Sequence, residues 1–324
     1  MRGCIATTSG FALAVVFALY PAPVLAGVCR YENLMPEFFA FETRTKNLAP
    51  NIRAKQFAKE IAAKHPEFYG DKGLDWPAKV NEDALRLLDP GRPEVVPGFP
   101  PFSEKRFHAV ADAVDGDFAA AQTKFLAAFP DFNCKAEIAV GPSFLRFDGH
   151  GYTDDRGQWH MLFGVDAISI EYVPEDIPAF FAHEQFHIYH RQLIGAPARE
   201  LDNVTWWMMW EEGLATYISQ RFNPTLDAQR VLVFPKDIVR TMRVREASAH
   251  AAKLMLADFG KSDGFWFDAR RSVPGLPPRA GYYMGYLLAS ELGRDHSLNW
   301  LAHLSPEQVK LQACAFLQAQ AKSE

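Results

Sequence analysis

Two histidines four residues apart, with a glutamate directly after the first, form the segment "HEQFH" at positions 183–187. On a helix, residues i and i+4 project from one face, one turn apart. His183 and His187 are therefore spaced to offer two imidazoles to a single ion. Glu184 falls beside that stripe, where its carboxylate can reach a water at the ion without itself ligating. The setting, "FFAHEQFHIYH", is rich in large apolar side chains, and a helix built only for packing has no reason to carry four ionisable groups. His190 lies on the same face but two turns from His183, too far to share one ion with it. It reads as a neighbour of the site or as a solvated residue.

A catalytic zinc site takes three protein ligands and keeps one position open for water. A longer motif with glycine at 190 and histidine at 193 would supply the third, but those positions hold His190 and Leu193. The remaining route is a carboxylate from a second helix, and "WWMMWEEGLATYIS" offers two, Glu211 and Glu212, among tryptophans and methionines. Buried carboxylates without partners are costly, so at least one should meet a cation or a hydrogen-bond donor. Gly213 inside this helix costs about 1 kcal/mol relative to alanine. Close approach of another helix, such as the one carrying the histidines, would explain it.

With "HEQFH" followed by "WEEGLATY", the chain resembles the gluzincin superfamily of zinc metallopeptidases, which includes the aminopeptidase N and thermolysin families, and most of all bacterial exported or envelope zinc-dependent proteases. The specific resemblance covers about residues 160–290. It implies one Zn2+ ion held by His183, His187 and Glu212, the last being the glutamate before glycine in an "EGxA" segment, with Glu211 as the alternative. It implies Glu184 as general base. Related peptidases carry a tyrosine three residues before a glycine in a later helix, where its hydroxyl stabilises the tetrahedral intermediate. In "RAGYYMGYLLASEL" Tyr282 has that spacing to Gly285, and Tyr283 is the alternative. The family also has an edge strand that pairs with the substrate backbone, a place that "GVDAISIEYV" would fill. Two features depart from the pattern. No "GxMEN" segment is present, so aminopeptidase specificity is not implied. Thr216 stands where the thermolysin pattern has an aspartate that orients a ligand histidine, which leaves that task to another residue.

The elements that must position these residues read as α+β: mostly helical, with a small mixed sheet beside the histidine helix and a helical N-terminal region. "AKQFAKEIAAKH" and "FAAAQTKFLAAF" have the apolar spacing of helices with one buried face. The proline-rich stretch 73–102 reads as a short helix followed by a surface loop. "AEIAVGPSFLRF" and "HMLFGVDAISIEYV" read as strands, three or four in all, with "GHGYTDDRGQ" as a connecting loop. Pro174 and Asp176 open the histidine helix, and further helices follow over about 205–222, 235–258, 279–293 and 305–321. The expected organisation is a signal peptide over 1–26, a helical region over 27–132 and a zincin-like metallopeptidase domain over 133–324.

Arg2, the apolar run "FALAVVFALY" and the small residue Ala26 have the order of a secretory signal, cut after Ala26. The mature chain is then periplasmic or secreted, with no membrane association beyond export. Cys4 leaves with the signal, and Cys29, Cys134 and Cys314 remain: one disulfide of unassigned pairing and one free, buried thiol. No two cysteines lie close enough in sequence for a cysteine zinc site. At 324 residues, 48% apolar and 23% charged with a net charge of −5, the chain can bury a large core. It has no basic run for nucleic acid. The expected partner is a peptide or protein substrate. Two rival readings remain at this stage: an envelope protein whose zinc only locks helices together, and a zinc hydrolase of other amides or esters.

Overall fold

A computed structural model of the chain describes residues 29–74, 100–232 and 234–322. The segment expected to be a signal peptide and most of the proline-rich stretch lie outside the described residues. The described residues are α+β and mostly helical, with one mixed sheet of four strands: β1 (Arg30–Asn33), β2 (Glu137–Gly141), β3 (Gly149–Thr153) and β4 (Trp159–Gly164). The order is β1-β2-β4-β3, with β3 antiparallel to β4 and the other pairs parallel. Parallel strands need cover on both faces, and Ile138, Val140, Leu162 and Phe163 are accordingly buried. Helices α1 (Met35–Thr45), α2 (Pro50–Phe57), α3 (Pro66–Tyr69) and α4 (Glu104–Ala128) precede β2. After β4 come α5 (Val165–Glu171) and α6 (Ile177–Ile194), the histidine helix. Phe163 of β4 meets Phe118 of α4 at 6.2 Å and Phe181 of α6 at 5.1 Å, so the sheet holds α6 by aromatic packing.

Several sequence expectations change here. "GHGYTDDRGQ" is a loop only in its second half, since Gly149–Thr153 is the edge strand β3. Two glycines hid it, and Gly151 is needed: a Cβ there would sit 2.3 Å from the Trp159 ring. "GVDAISIEYV" is not an edge strand, because Val165–Glu171 forms α5. Its run of β-branched residues reflects burial rather than pairing. The carboxylate of Asp166 accepts the Ser143 backbone N–H at 2.6 Å and also that of Leu145, which fixes the loop after β2, where Phe144 and Leu145 both have positive φ. Finally, the N-terminal region is not helical throughout. Its first residues form β1 in the common sheet, tied by the disulfide Cys29–Cys134, and one hydrophobic core runs from Cys29 to Leu317. The remaining cysteine, Cys314, is half-buried rather than buried.

The C-terminal part is α7 (Ala196–Leu201), α8 (Thr205–Phe222), α9 (Ala228–Leu232), α10 (Ile238–Met242), α11 (Arg245–Ala257), α12 (Ala280–Leu292), α13 (Leu298–Ala302) and α14 (Pro306–Ala321). The single helix expected over 235–258 is broken at Arg243 and Val244 into α10 and α11. Gly213 of α8 does mark a close helix approach, but the neighbour is α12 rather than α6. A Cβ on Gly213 would lie 2.0 Å from the carbonyl carbon of Gly285.

Candidate metal centre

Helix α6 places His183 and His187 on one face, and α8 brings Glu212 to them. The His183 and His187 Nε2 atoms stand 3.0 Å apart. Glu212 Oε2 is 3.1 Å from His183 Nε2 and 3.4 Å from His187 Nε2. Corners of a zinc tetrahedron with bonds of about 2.0–2.1 Å are about 3.3 Å apart, so the three donor atoms fit that ion. The donor set fits too: two imidazoles and a carboxylate converge on one point, where a cation satisfies all three together and a proton only a pair. The other group able to gather metal ligands among the described residues, Glu32, His65 and Glu67, has its imidazole engaged by Glu37 at 2.8 Å. Glu211 is not in the triangle. Its Oε1 lies 3.9 Å from His187 Nδ1, the nitrogen facing away from Glu212.

Burial raises the Glu212 carboxyl, but the two imidazoles outweigh it and hold the group well below the usual carboxylate range. Glu184 differs. Burial pushes it up to about 8; His187 opposes the rise and Asp148 and Glu212 add to it. A carboxylate poised near neutrality suits proton transfer. Glu184 also sits against β3: a Cβ on Gly149 would come 3.1 Å from its carboxyl carbon.

These residues line a cleft of about 320 Å³, together with Gly149, Gly151, Arg279 and Tyr282. The Tyr282 ring lies 6.4 Å from His183, nearly parallel at 19°. Burial keeps its phenol above the ordinary tyrosine value, so it remains a donor. Tyr283 faces elsewhere: it is buried and lies 6.4 Å from Tyr286, outside the cleft lining. One helical residue's rotation separates the two roles.

Arg279, Asp148 and Tyr172 of the cleft lining, and Glu171 beside them, escaped sequence reasoning. Arg279 rests its guanidinium 4.1 Å from the Tyr282 ring centre, on a backbone with φ 59°. Arg279 is the cap residue just before α12; a cation at a helix N-terminus opposes the macrodipole, and that mismatch was the one available signal. Asp148 accepts from the Tyr172 hydroxyl and from the Gly149 N–H, each at 2.7 Å. Glu171 is pushed up to about 9 by burial and then by the Asp148 charge, against the pull of Arg279. Nothing local in sequence marks Asp148, Glu171 or Tyr172.

The raised Glu171 carboxyl sets a pH dependence. Between its ordinary value of 4.5 and about 9, the folded chain holds a proton that the unfolded chain releases. Its contribution is thus present at low pH and lost as pH rises through about 9, by at most about 1.4 kcal/mol per pH unit. Glu171→Gln keeps a donor toward Asp148 with no proton to lose. Urea denaturation from pH 6 to 9 should show wild-type stability falling and the variant's curve flatter. Parallel curves would refute the assignment.

Comparison of the chain with family models, curated proteins and solved structures returns no significant match. The functional reading therefore stands on the chemistry of the cleft.

Proposed function

We propose that this chain is an exported zinc-dependent peptidase of zincin-like, gluzincin type. The carrying observation is the triangle of His183 Nε2, His187 Nε2 and Glu212 Oε2 at 3.0–3.4 Å, with the Glu184 carboxyl in the same cleft. A zinc ion held there would supply Lewis acidity, polarising a carbonyl and acidifying a water. Glu184 takes the proton of the attacking water and returns it to the leaving amine. Tyr282 donates its hydroxyl to the developing oxyanion. The outer edge of β3 offers its backbone to an extended peptide; β3 is an edge strand, and its Gly149 and Gly151 line the cleft. It takes the role that the resemblance implies for 164–173, which is helical over Val165–Glu171. The Cys29–Cys134 disulfide supports an oxidising compartment.

Metal analysis of the purified mature chain, paired with a peptide library, tests the reading. One zinc per wild-type chain is expected. His187→Ala should lose it, a larger effect than the about 10–100-fold weakening caused by removing a ligand's hydrogen-bond partner. A chain with no zinc affinity overturns the proposal. Stoichiometric zinc without cleavage makes the ion a helix lock, and turnover confined to small esters or amides makes the chain a different hydrolase.

A further inference from the structure

We infer that Glu211, seated between His187 and His190, is the carboxylate that orients the His187 imidazole. This rests on the metal reading above. If His187 ligates through Nε2, its ring proton sits on Nδ1 and needs an acceptor to fix tautomer and ring plane. Thr216, at the position where the thermolysin pattern keeps an orienting acid, does not supply one. Its hydroxyl donates to the Glu212 carbonyl in its own helix at 2.8 Å. Glu211 Oε1 stands 3.9 Å from His187 Nδ1. Glu211 and Glu212 are consecutive on α8, about 100° apart around its axis. One carboxylate thus addresses the Nε2 side of the imidazoles and the other the Nδ1 side.

His190 is the second, independent observation. It is 0% exposed, and neither ring nitrogen has a hydrogen-bond partner. The ring is clamped between Phe186, 4.9 Å away, and Trp207, 5.2 Å away at 12°. A phenylalanine would pack there without stranding two polar atoms, so an unpartnered buried imidazole calls for a reason. The same Glu211 Oε1 lies 3.8 Å from its Nδ1. His190 and His187 thus face one carboxylate oxygen from two sides, one turn of α6 apart. A gap of 3.8–3.9 Å closes to a charge-assisted hydrogen bond of about 2.8 Å by a small torsion of the glutamate. Glu211 is a positioning residue, and His190 is the donor that holds it in place.

The test is zinc affinity of the full mature chain, measured by competition with a chromophoric chelator, alongside the visible absorption of the Co2+-substituted protein. Glu211→Ala should weaken zinc binding about 10–100-fold and shift the cobalt bands. Glu211→Gln, which keeps an acceptor oxygen, should recover most of the affinity. His190→Phe, which preserves the stack, should weaken binding by less than Glu211→Ala. If Glu211→Ala and Glu211→Gln both bind within twofold of wild type with unchanged cobalt spectra, Glu211 does not orient the ligand. That result leaves the metal reading intact, whereas a wild-type chain that binds no zinc ends both.

Discussion

Glu184→Gln is expected to lower peptide hydrolysis by about 10²–10⁴-fold, the usual contribution of a positioned acid–base group, while the chain keeps one zinc. Glutamine matches glutamate in shape, so the variant removes proton transfer and little else. The residue stands outside the three-atom triangle, which is built from His183, His187 and Glu212 alone. Metal content and activity should therefore separate, and this separates the peptidase reading from a zinc lock. Burial that lifts Glu184 to about 8 makes its carboxylate form a stronger base than an exposed glutamate. The raised carboxyl is already largely protonated near neutral pH, so a neutral amide of the same shape should leave stability close to wild type. Turnover of a fluorogenic peptide library and zinc content by atomic absorption, on the same preparation, decide the matter. Cleavage at the wild-type rate would remove Glu184 from the mechanism.

What could be read from the sequence was what helix periodicity carries locally. His183 and His187 meet because residues four apart on any helix do, and no tertiary information was needed. Glu212 was legible as a charge in an apolar helix, yet the choice against Glu211 needed the rotation of α8 about its axis. Tyr282 and Tyr283 posed the same problem on α12. The failures follow from pairing and burial. β3 is two-fifths glycine and owes its extended form to β4 and to the stacking of Tyr152 on His160 at 4.8 Å. α5 carries a strand-like composition because it is buried nearly all round. Asp148, Glu171 and Arg279 come from separate parts of the chain and gather beside the His183–His187–Glu212 triangle without any shared spacing, so no period in the sequence could join them.

Gly213→Ala should destabilise the chain by more than about 3 kcal/mol and weaken zinc binding with it. Two effects compete. In a helix interior, alanine is favoured over glycine by about 1 kcal/mol. Against that, the added Cβ would lie 2.0 Å from the Gly285 carbonyl carbon, 2.3 Å from its Cα and 2.4 Å from its oxygen. Those are backbone atoms, which no rotamer change can move. Ordinary overpacking already costs about 1–3 kcal/mol, and here two helices must part, so the steric term wins. The loss reaches the site because Glu212 precedes Gly213 on α8, and Tyr282 lies one turn before Gly285 on α12. Spreading the crossing shifts the carboxylate against His183 and His187 and carries the tyrosine hydroxyl out of the cleft. Gly285→Ala probes the same contact from the other side, where a Cβ would fall 1.8 Å from the Met209 oxygen. The double variant should cost less than the sum of the singles, since one separation relieves both clashes. Gly116→Ala provides the opposite sign: that glycine is exposed in α4 with nothing within 4 Å of its would-be Cβ. It should stabilise by about 0.5–1 kcal/mol. Thermal and urea denaturation of the variants, with zinc affinity measured on each, test the crossing. A Gly213→Ala chain as stable as Gly116→Ala would mean that α8 and α12 do not meet backbone to backbone.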